Sequence, residues 1–173
     1  RAVHAGAYEE PTTGAVGTPI FQASTFRLGA DQYSAFDQGH GRDRFIYTRY
    51  GNPSQWAVQE KIAALEGAQS ALVFSSGMAA ITSAITALSD PGGHIVASSE
   101  LYGGTYALFN SDLPNLGRRV SFVDPTDLDA IKATILPETQ VLFFEAVTNP
   151  LLKVANLPRI AELARARGCR SII

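Results

Sequence analysis

From about residue 52 onward, apolar positions recur in two alternating patterns, one of helical period and one of short continuous runs. The first helical pattern lies between Asn52, which is typical of a helix N-cap, and Gly67, which is typical of a helix end. Between them, Val58, Ile62 and Leu65 recur at the i, i+4, i+7 spacing of one helix face. This pattern predicts an amphipathic helix that directly follows Asn52.

The rest of the chain alternates short apolar runs with further helical stretches. The apolar runs predict five strands, at residues 70–74, 94–98, 119–124, 140–146 and 169–173. The stretches between them predict helices at about 77–88, 104–111, 126–135 and 157–167. Strands that alternate with helices form a mostly parallel sheet with helices on both faces, so the sequence predicts a three-layer α/β fold.

Residues 1–50 differ from the rest because they carry turn signals, such as PTTG and GTP, and little sustained periodicity. A segment of this kind is stable only when it lies on another surface. We therefore predict two regions, an extended N-terminal arm over 1–50 and an α/β domain over 51–173.

Composition narrows the function classes. Of the 173 residues, 46% are hydrophobic and 17% are charged, which suits one sizeable α/β core. A net charge of −2 without a basic run argues against nucleic acid as a partner. No apolar stretch reaches the roughly 18 residues of a membrane span. The single cysteine, Cys169, lies in an apolar run and is interpreted as a core residue in a reducing compartment. These features predict a soluble, cytoplasmic protein, and no metal site is predicted.

The ends of the predicted strands carry the candidate chemistry, because ligands of parallel sheets bind at the carboxyl ends of the strands. The run 70–74 is followed by SSGM at the start of a helix. Backbone amides point outward at such a start, Gly77 leaves room for an anion, and Ser76 adds a hydroxyl. The same residues are also compatible with a simple tight turn between a strand and a helix.

Two further strand ends carry polar side chains. Tyr102 follows 94–98 and precedes two glycines, where its ring could lie flat on a planar ligand or only cover the end of the sheet. Glu145 lies near the end of 140–146, and Asn149 precedes a proline, which favours an extended backbone. This acid and this amide could orient the ring substituents of a ligand, or they could cap a loop.

Tyr47 and Arg49 lie near the end of the predicted arm, two positions apart, so in an extended segment they point to the same side. A phenol beside a guanidinium suits a phosphate dianion, because arginine can donate two hydrogen bonds to it. A solvated arginine on a loop is the alternative. Taken together, the four candidate groups would suit a flat aromatic ring that carries a phosphate.

In this order and spacing, the motifs resemble the Cys/Met-metabolism family of pyridoxal-phosphate enzymes. The resemblance is carried by YTRYGNP (47–53), LEGAQSALVFSSGMAAI (65–81), LYGGTY (101–106) and FEAVTNPLLKV (144–154). The family includes cystathionine γ-synthase, cystathionine γ-lyase, methionine γ-lyase and the O-acylhomoserine sulfhydrylases. The resemblance implies that residues 51–173 are the first part of the aspartate aminotransferase-like large domain of type I pyridoxal-phosphate enzymes, with pyridoxal 5'-phosphate as cofactor.

The resemblance also implies roles for individual residues of the large domain. Gly77 and Met78 are implied to supply backbone amides to the cofactor phosphate, with Ser76 beside them. Tyr102 is implied to stack on the pyridine ring and, as the catalytic residue of this chain, to move a proton toward the leaving group. The implied reaction is γ-elimination or γ-replacement on a sulfur amino acid or an activated homoserine, a step of trans-sulfuration.

The remaining implied roles concern the ring hydroxyl and a neighbouring subunit. Asn149 is implied to lie near the ring hydroxyl, with Glu145 close behind it. Tyr47 and Arg49 are implied to reach the cofactor phosphate of a neighbouring subunit, since the arm of this family crosses the dimer interface. The expected partner is therefore another copy of the chain, in a homotetramer that is a dimer of dimers.

The family also needs a lysine that binds the cofactor covalently and an aspartate that faces the ring nitrogen. The only lysines are Lys61, Lys132 and Lys153, and none lies in a motif suited to that bond. Both groups are expected beyond residue 173, and Lys153 is expected to be a solvated residue. Two alternatives stay open. One is a nucleotide-binding α/β module, although no G-x-G-x-x-G follows the first strand, and the other is a non-catalytic homologue.

Overall fold

The computed structural model describes residues 3–8, 10–40 and 45–173. The chain divides into two compact units, Arg1–Val73 and Phe74–Ile173. The described part of the first unit contains the helices α1 (Ala30–Asp37) and α2 (Pro53–Glu66). Within the described ranges, no helix is both long and apolar enough to cross a membrane.

Helix α2 begins and ends where its local signals predict. The side chain of Asn52 accepts a hydrogen bond from the amide of Ser54 at 2.8 Å, and Pro53 occupies the first helical position. Gly67 ends the helix with a φ of 66°, a left-handed conformation that a glycine adopts without steric cost. These capping signals are local, which is why the sequence located both ends of α2.

The arm is tied to the start of α2 by the same capping residue. The side-chain amide of Asn52 donates to the carbonyl of Phe21 at 2.9 Å and to the hydroxyl of Thr48 at 3.2 Å. Thr25 and Tyr47 form an isolated antiparallel bridge nearby. The arm therefore has local structure of its own, which includes α1 as well as extended backbone.

The apolar face that predicted α2 is not buried within the first unit. Val58, Ile62 and Leu65 are between 40% and 55% exposed, whereas α2 buries Pro53 and Ala63. The helical period was therefore correct as a signal for a helix. The period did not show which face of α2 is buried against the rest of this unit.

The predicted strand at 70–74 is not formed, so this prediction was wrong. The described residues place no β pairing at this run, and Leu72 and Phe74 are 74% and 43% exposed. A strand is stable only when its N–H and C=O groups pair with a neighbouring strand. The apolar run indicates β propensity, but propensity alone does not supply that neighbour.

The second unit contains a four-stranded sheet in which every neighbouring pair is parallel, as predicted. The strands are β1 (His94–Ser98), β2 (Arg119–Val123), β3 (Thr139–Phe143) and β4 (Arg170–Ile172). Their order is β2-β1-β3-β4. The chain runs from β1 to β2 on one side and then crosses to β3 on the other side of β1. This creates a topological switch point between β1 and β3, where open α/β sheets bind ligands.

Helices cover both faces of the sheet, which confirms the three-layer fold. They are α3 (Gly77–Leu88), α4 (Gly103–Ala107), a π-helical turn (Leu108–Asp112), α5 (Leu113–Asn115), α6 (Leu128–Thr134) and α7 (Leu157–Ala166). On one face, Ile95 and Phe143 pack with residues such as Phe109. On the other face, Val96 and Leu142 pack with α6 and α7. Alternate residues of a strand thus enter different cores, as expected for a sheet buried on both sides.

Cys169 lies in the core of the second unit, as predicted. Its thiol is buried and lies 3.2 Å from the carbonyl of Thr139. Burial raises the pKa of this thiol, which disfavours the reactive thiolate.

His94 is a buried polar residue of the sheet and gives the fold a testable pH dependence. Its Nδ1 lies 2.7 Å from the hydroxyl of Thr139 and its Nε2 lies 3.0 Å from the hydroxyl of Ser121. Burial lowers the pKa of His94, and the charge of Arg119 acts in the same direction. The folded protein therefore binds a proton at His94 less readily than the unfolded chain does.

We expect the free energy of unfolding to be fully maintained above about pH 6.5, the ordinary pKa of histidine, and to fall as the pH drops from there through the lowered pKa of His94. The carboxylates with lowered pKa values, such as Asp124 and Glu138, change the free energy of unfolding only at more acidic pH. Denaturant unfolding of the wild type and of His94→Gln between pH 5 and pH 7.5 measures this dependence. If the free energy of unfolding changed equally with pH in the two proteins, His94 would not be its source.

Candidate functional site

The structure brings the site residues predicted in the second unit to the carboxyl edge of the sheet. Tyr102 follows β1, and Glu145 follows β3, its neighbour in the sheet. The start of α3 lies at the same place, because the hydroxyl of Thr105 on α4 lies 3.8 Å from the Sδ atom of Met78 on α3. Three chain segments that are distant in sequence therefore meet beside the switch point between β1 and β3.

The start of α3 presents unpaired backbone amides. Ser76 is the N-cap, and its hydroxyl accepts a hydrogen bond from the amide of Ala79 at 3.1 Å. The amides of Gly77 and Met78 form no hydrogen bond within the described part of the chain. A side chain at Gly77 would meet no atom within 4 Å. Free donors, the positive end of a helix dipole and open space together fit an anion such as a phosphate.

Tyr102 lies at the N-cap position of α4 and is 55% exposed. Its ring lies against Gly104, where an added Cβ would come within 2.8 Å of the ring atom Cε1 and within 3.3 Å of the Sδ atom of Met78. The absence of a side chain at Gly104 thus lets the Tyr102 ring lie close to the start of α3. An exposed ring in this position is available for stacking on a planar group.

The glycine pair at the start of α4 allows a matched test of the Tyr102 position. We expect Gly104→Ala to displace the ring and to weaken binding of pyridoxal phosphate roughly tenfold, since stacking contributes about 0.5–1.5 kcal/mol beyond area burial. Gly103→Ala is the control, because a Cβ there meets nothing within 4 Å. Equilibrium binding of pyridoxal phosphate to the full-length variants measures both. Equal affinities of the two variants would contradict the placement of the ring.

Glu145 holds the backbone of Tyr102. Its Oε1 accepts a hydrogen bond from the amide of Tyr102 at 2.9 Å, although the two residues are 43 positions apart. The strand ends at Phe143, two residues before Glu145, rather than at residue 146. The bond links the loops after β1 and β3, so within this chain Glu145 orients the start of α4.

Asn149 lies near the tip of a short hairpin that follows β3. Val147 and Val154 form an antiparallel bridge, and the amide of Thr148 donates to the carbonyl of Lys153 at 2.9 Å. Asn149 itself lies in a turn and is exposed, because the chain reverses direction between Thr148 and Lys153.

In the first unit, the structure brings Tyr47 and Arg49 together, but by a turn and not by an extended segment. The amide of Tyr50 donates to the carbonyl of Tyr47 at 2.8 Å, which closes the turn. The guanidinium carbon of Arg49 then lies 5.2 Å from the ring centre of Tyr47 and 5.5 Å from that of Tyr50. Both distances are those of cation–π contacts.

The guanidinium of Arg49 is available to an anion. It forms no ion pair with a carboxylate in the described ranges, and it lines a cavity of about 370 Å³ together with Tyr50, Gln55 and Trp56. Two aromatic rings restrict the orientation of the side chain, so less conformational entropy is lost when it binds a phosphate. The geometry therefore suits the phosphate contact expected for this pair.

Lys153 is not a freely solvated residue, and this expectation was wrong. Its ammonium donates to Glu100 Oε1 and, at 3.1 Å, to Asp124 Oδ2. The hydrogen bond that Lys153 donates to Glu100, and to a smaller extent the one that it donates to Asp124, raises the pKa of Lys153. A lysine that is held in its charged form between two carboxylates is a poor nucleophile, which supports the expectation that it does not bind the cofactor covalently.

Sequence reasoning missed three residues that support the site. Tyr50 packs on Arg49, and its signal was an aromatic residue on each side of the arginine in YTRYG. Glu100 and Thr148 are joined by a 2.9 Å hydrogen bond from the threonine hydroxyl to Glu100 Oε2. Their only local signal was a polar residue within two positions of Tyr102 or Asn149, which does not reveal a contact across two loops.

Comparison with known proteins extends these findings to the whole chain. The chain is 38% identical over 174 residues to a probable cystathionine gamma-synthase of Herpetosiphon aurantiacus, and it covers 51% of that protein. A crystal structure of cystathionine gamma-lyase from Lactobacillus plantarum complexed with L-serine matches 99% of the chain with a TM-score of 0.88 and 38% identity, and 42% of that structure is covered.

A further solved structure is a putative O-acetylhomoserine (thiol)-lyase of Campylobacter jejuni that contains a pyridoxyl-lysine monophosphate at its position 205. It matches 98% of this chain with a TM-score of 0.90 and 29% identity, and 42% of that structure is covered. The chain thus spans about half, or less, of the length of the proteins it matches. Methionine gamma-lyases and cystathionine beta-lyases are also among the relatives.

The parallel three-layer sheet and these solved structures define the fold class as that of type I pyridoxal-phosphate enzymes. Within that class the family is shown directly. The chain belongs to the Cys/Met metabolism PLP-dependent enzymes, whose family model matches residues 1–173.

Proposed function

We propose that the protein to which this chain belongs is a pyridoxal-phosphate enzyme of trans-sulfuration, which catalyses γ-elimination or γ-replacement on a sulfur amino acid or an activated homoserine. One observation carries the proposal for this chain. Free amides at the start of α3, the exposed ring of Tyr102 and the carboxylate of Glu145 converge at the switch point of the sheet. A flat ring with a phosphate matches these groups in charge and shape.

In this proposal the start of α3 binds the cofactor phosphate. The amides of Gly77 and Met78 donate to phosphate oxygens, and the hydroxyl of Ser76 lies beside them while it caps the helix. Because the first-turn amides are already ordered by the helix, binding requires little rearrangement of the backbone.

The loops after β1 and β3 bind the ring. Tyr102 stacks on the pyridine ring and moves a proton toward the leaving group of the substrate, for which its exposed phenol is accessible. Asn149 faces the ring hydroxyl, and Glu145 fixes the loop of Tyr102. When bound, pyridoxal phosphate supplies the electron sink that permits loss of protons from the substrate carbons. The residues of this chain bind the cofactor, orient it and exchange protons with the substrate.

The arm completes the phosphate site of a neighbouring copy. In this proposal residues 1–50 act as the arm and 51–173 as the first part of the large domain. Tyr47 and Arg49 donate to the phosphate from across a dimer interface, and two dimers form a homotetramer in the cytoplasm. The support is the exposed guanidinium of Arg49, which is held between two tyrosine rings and paired with no carboxylate of the described chain.

The type of reaction is tested with the full-length protein. It is incubated with methionine, with cystathionine, and with an O-acylhomoserine plus a thiol, and the products are identified. We expect the four-carbon α-keto acid 2-oxobutanoate from a γ-elimination, or a new thioether from a γ-replacement. Sulfhydrylase activity is the second candidate, which the thiol-lyase among the structural relatives favours. A β-elimination, as named for the cystathionine beta-lyases, would yield pyruvate. The absence of product from every substrate would contradict the proposal and favour a non-catalytic homologue.

A further inference from the structure

A polar network joins the carboxyl ends of three strands beside the proposed cofactor site. Lys153 donates to Glu100, which follows β1, and to Asp124, which follows β2. Lys153 itself lies on the hairpin that follows β3. A single ammonium group therefore links segments that are 53 and 29 residues distant in sequence.

The network is closed by a buried threonine. The hydroxyl of Thr148 donates to Glu100 Oε2 at 2.9 Å and accepts a hydrogen bond from the amide of Lys153 at 3.1 Å. Thr148 is 1% exposed, and the side chain of Glu100 is 16% exposed. Both oxygens of the Glu100 carboxylate are thus bound, which restricts the position of the hairpin relative to the loop after β1.

The network lies next to residues of the proposed site without using them. Thr148 directly precedes Asn149, and Glu100 lies two positions before Tyr102. A second, separate link joins the same loops, because Glu145 Oε1 accepts from the amide of Tyr102. Asp124 is itself held by Thr126, which donates to it from its amide at 2.8 Å and from its hydroxyl at 2.6 Å.

We propose that Lys153 is a positioning residue of the cofactor site: held between Glu100 and Asp124, its ammonium fixes the hairpin and thereby the distance between Asn149 and Tyr102. This inference rests on the proposed function, because it assigns Lys153 a role in the binding of pyridoxal phosphate. The ammonium is occupied by two carboxylates, so it acts through Asn149 and does not touch the cofactor. The raised pKa of Lys153 agrees with a charge that is kept over the whole working range of pH.

The test uses the full-length protein freed of cofactor and three variants. Lys153→Met removes the charge and keeps most of the aliphatic stem, Lys153→Arg keeps the charge, and Lys132→Met is a control on the exposed side of α6. We expect Lys153→Met to raise the Kd for pyridoxal phosphate roughly tenfold, within the range for residues coupled in one network. Lys153→Arg should restore most of the affinity, and Lys132→Met should not change it.

Two further measurements separate positioning from general stabilisation. In an Asn149→Ala background, Lys153→Met should change the Kd by less than about twofold, because the residue through which it acts is already lost. Without any cofactor, Lys153→Met should increase amide hydrogen exchange in the segments 100–104 and 145–154. The remaining strands of the sheet should keep the exchange rates of the wild type.

A further double variant protects the test from a folding defect. Lys153→Met leaves the Glu100 carboxylate unpaired, so Lys153→Met is combined with Glu100→Gln, which removes that charge and keeps an acceptor for Thr148. The same loss of affinity is expected. The inference would be overturned if Lys153→Met left both the Kd for pyridoxal phosphate and the amide hydrogen exchange unchanged. It would also be overturned if the effects of Lys153→Met and Asn149→Ala on the Kd were additive. Neither outcome would affect the proposed function. Failure of the wild-type protein to bind pyridoxal phosphate would instead overturn the proposed function.

Discussion

Replacement of Gly77 by leucine is expected to weaken pyridoxal phosphate binding about 100-fold while the protein remains folded. A side chain at this position meets no atom of the chain within 4 Å, so the fold tolerates it. A leucine would instead occupy the space in front of the free amides of Gly77 and Met78. Each hydrogen bond to a charged group contributes about 1.5–3 kcal/mol, so the loss of one or two gives an effect of this size.

A graded series makes this prediction sharper. The affinity for pyridoxal phosphate, measured by fluorescence titration, should fall from Gly77→Ala to Gly77→Val to Gly77→Leu. The thermal midpoint of the apoprotein, measured by calorimetry, should stay within a few degrees of that of the wild type. Gly17→Leu is the matched control, because a Cβ at Gly17 also meets nothing within 4 Å. If Gly77→Leu bound the cofactor as tightly as Gly17→Leu, the phosphate would not lie at the start of α3.

Replacement of Arg49 by alanine is the second large effect, and we expect it to raise the Kd for pyridoxal phosphate about 100-fold. The guanidinium can donate two parallel hydrogen bonds to a phosphate, which a lysine cannot reproduce. Arg49→Lys keeps the charge and should therefore recover only part of the affinity. Tyr50→Leu should have a smaller effect, because the tyrosine restricts the orientation of Arg49 and does not itself bind the anion.

Phosphate competition distinguishes loss of this contact from misfolding. Inorganic phosphate should compete with pyridoxal phosphate for binding to the wild-type apoprotein, and it should bind the Arg49→Ala apoprotein much more weakly. Circular dichroism of the variant should match that of the wild type, because Arg49 is exposed and makes no ion pair in the described part of the first unit. Unchanged phosphate affinity in Arg49→Ala would contradict the assignment.

The elements that the sequence predicted well are those whose signals are local. Strand β1 and helix α3 have the predicted bounds, and Asn52 and Gly67 mark the two ends of α2. Capping residues and continuous apolar runs act within a few positions of the structure they specify. The strand at 70–74 failed because a strand also needs a neighbour, which local pattern does not report.

The same distinction applies to the candidate site. The sequence made Tyr102, Glu145 and Asn149 candidates because each follows a predicted strand or lies near its end. It could not show that Glu145 binds the amide of Tyr102, since this contact spans 43 positions. Lys153 was misjudged for the same reason, because its two carboxylate partners come from other loops. Tyr47 and Arg49 do lie together, although a turn and not the predicted extended segment brings them together.

The central claim is that amides of one subunit and a guanidinium of another bind the same phosphate. Mixed dimers of full-length Gly77→Leu and Arg49→Ala subunits, purified through two different affinity tags, test it directly. If Arg49 acts across the interface, one site of each mixed dimer receives an intact Gly77 and an intact Arg49. We then expect one tightly bound pyridoxal phosphate per mixed dimer. If Arg49 acts within its own subunit, both sites stay defective, and a mixed dimer without tight binding would contradict the account.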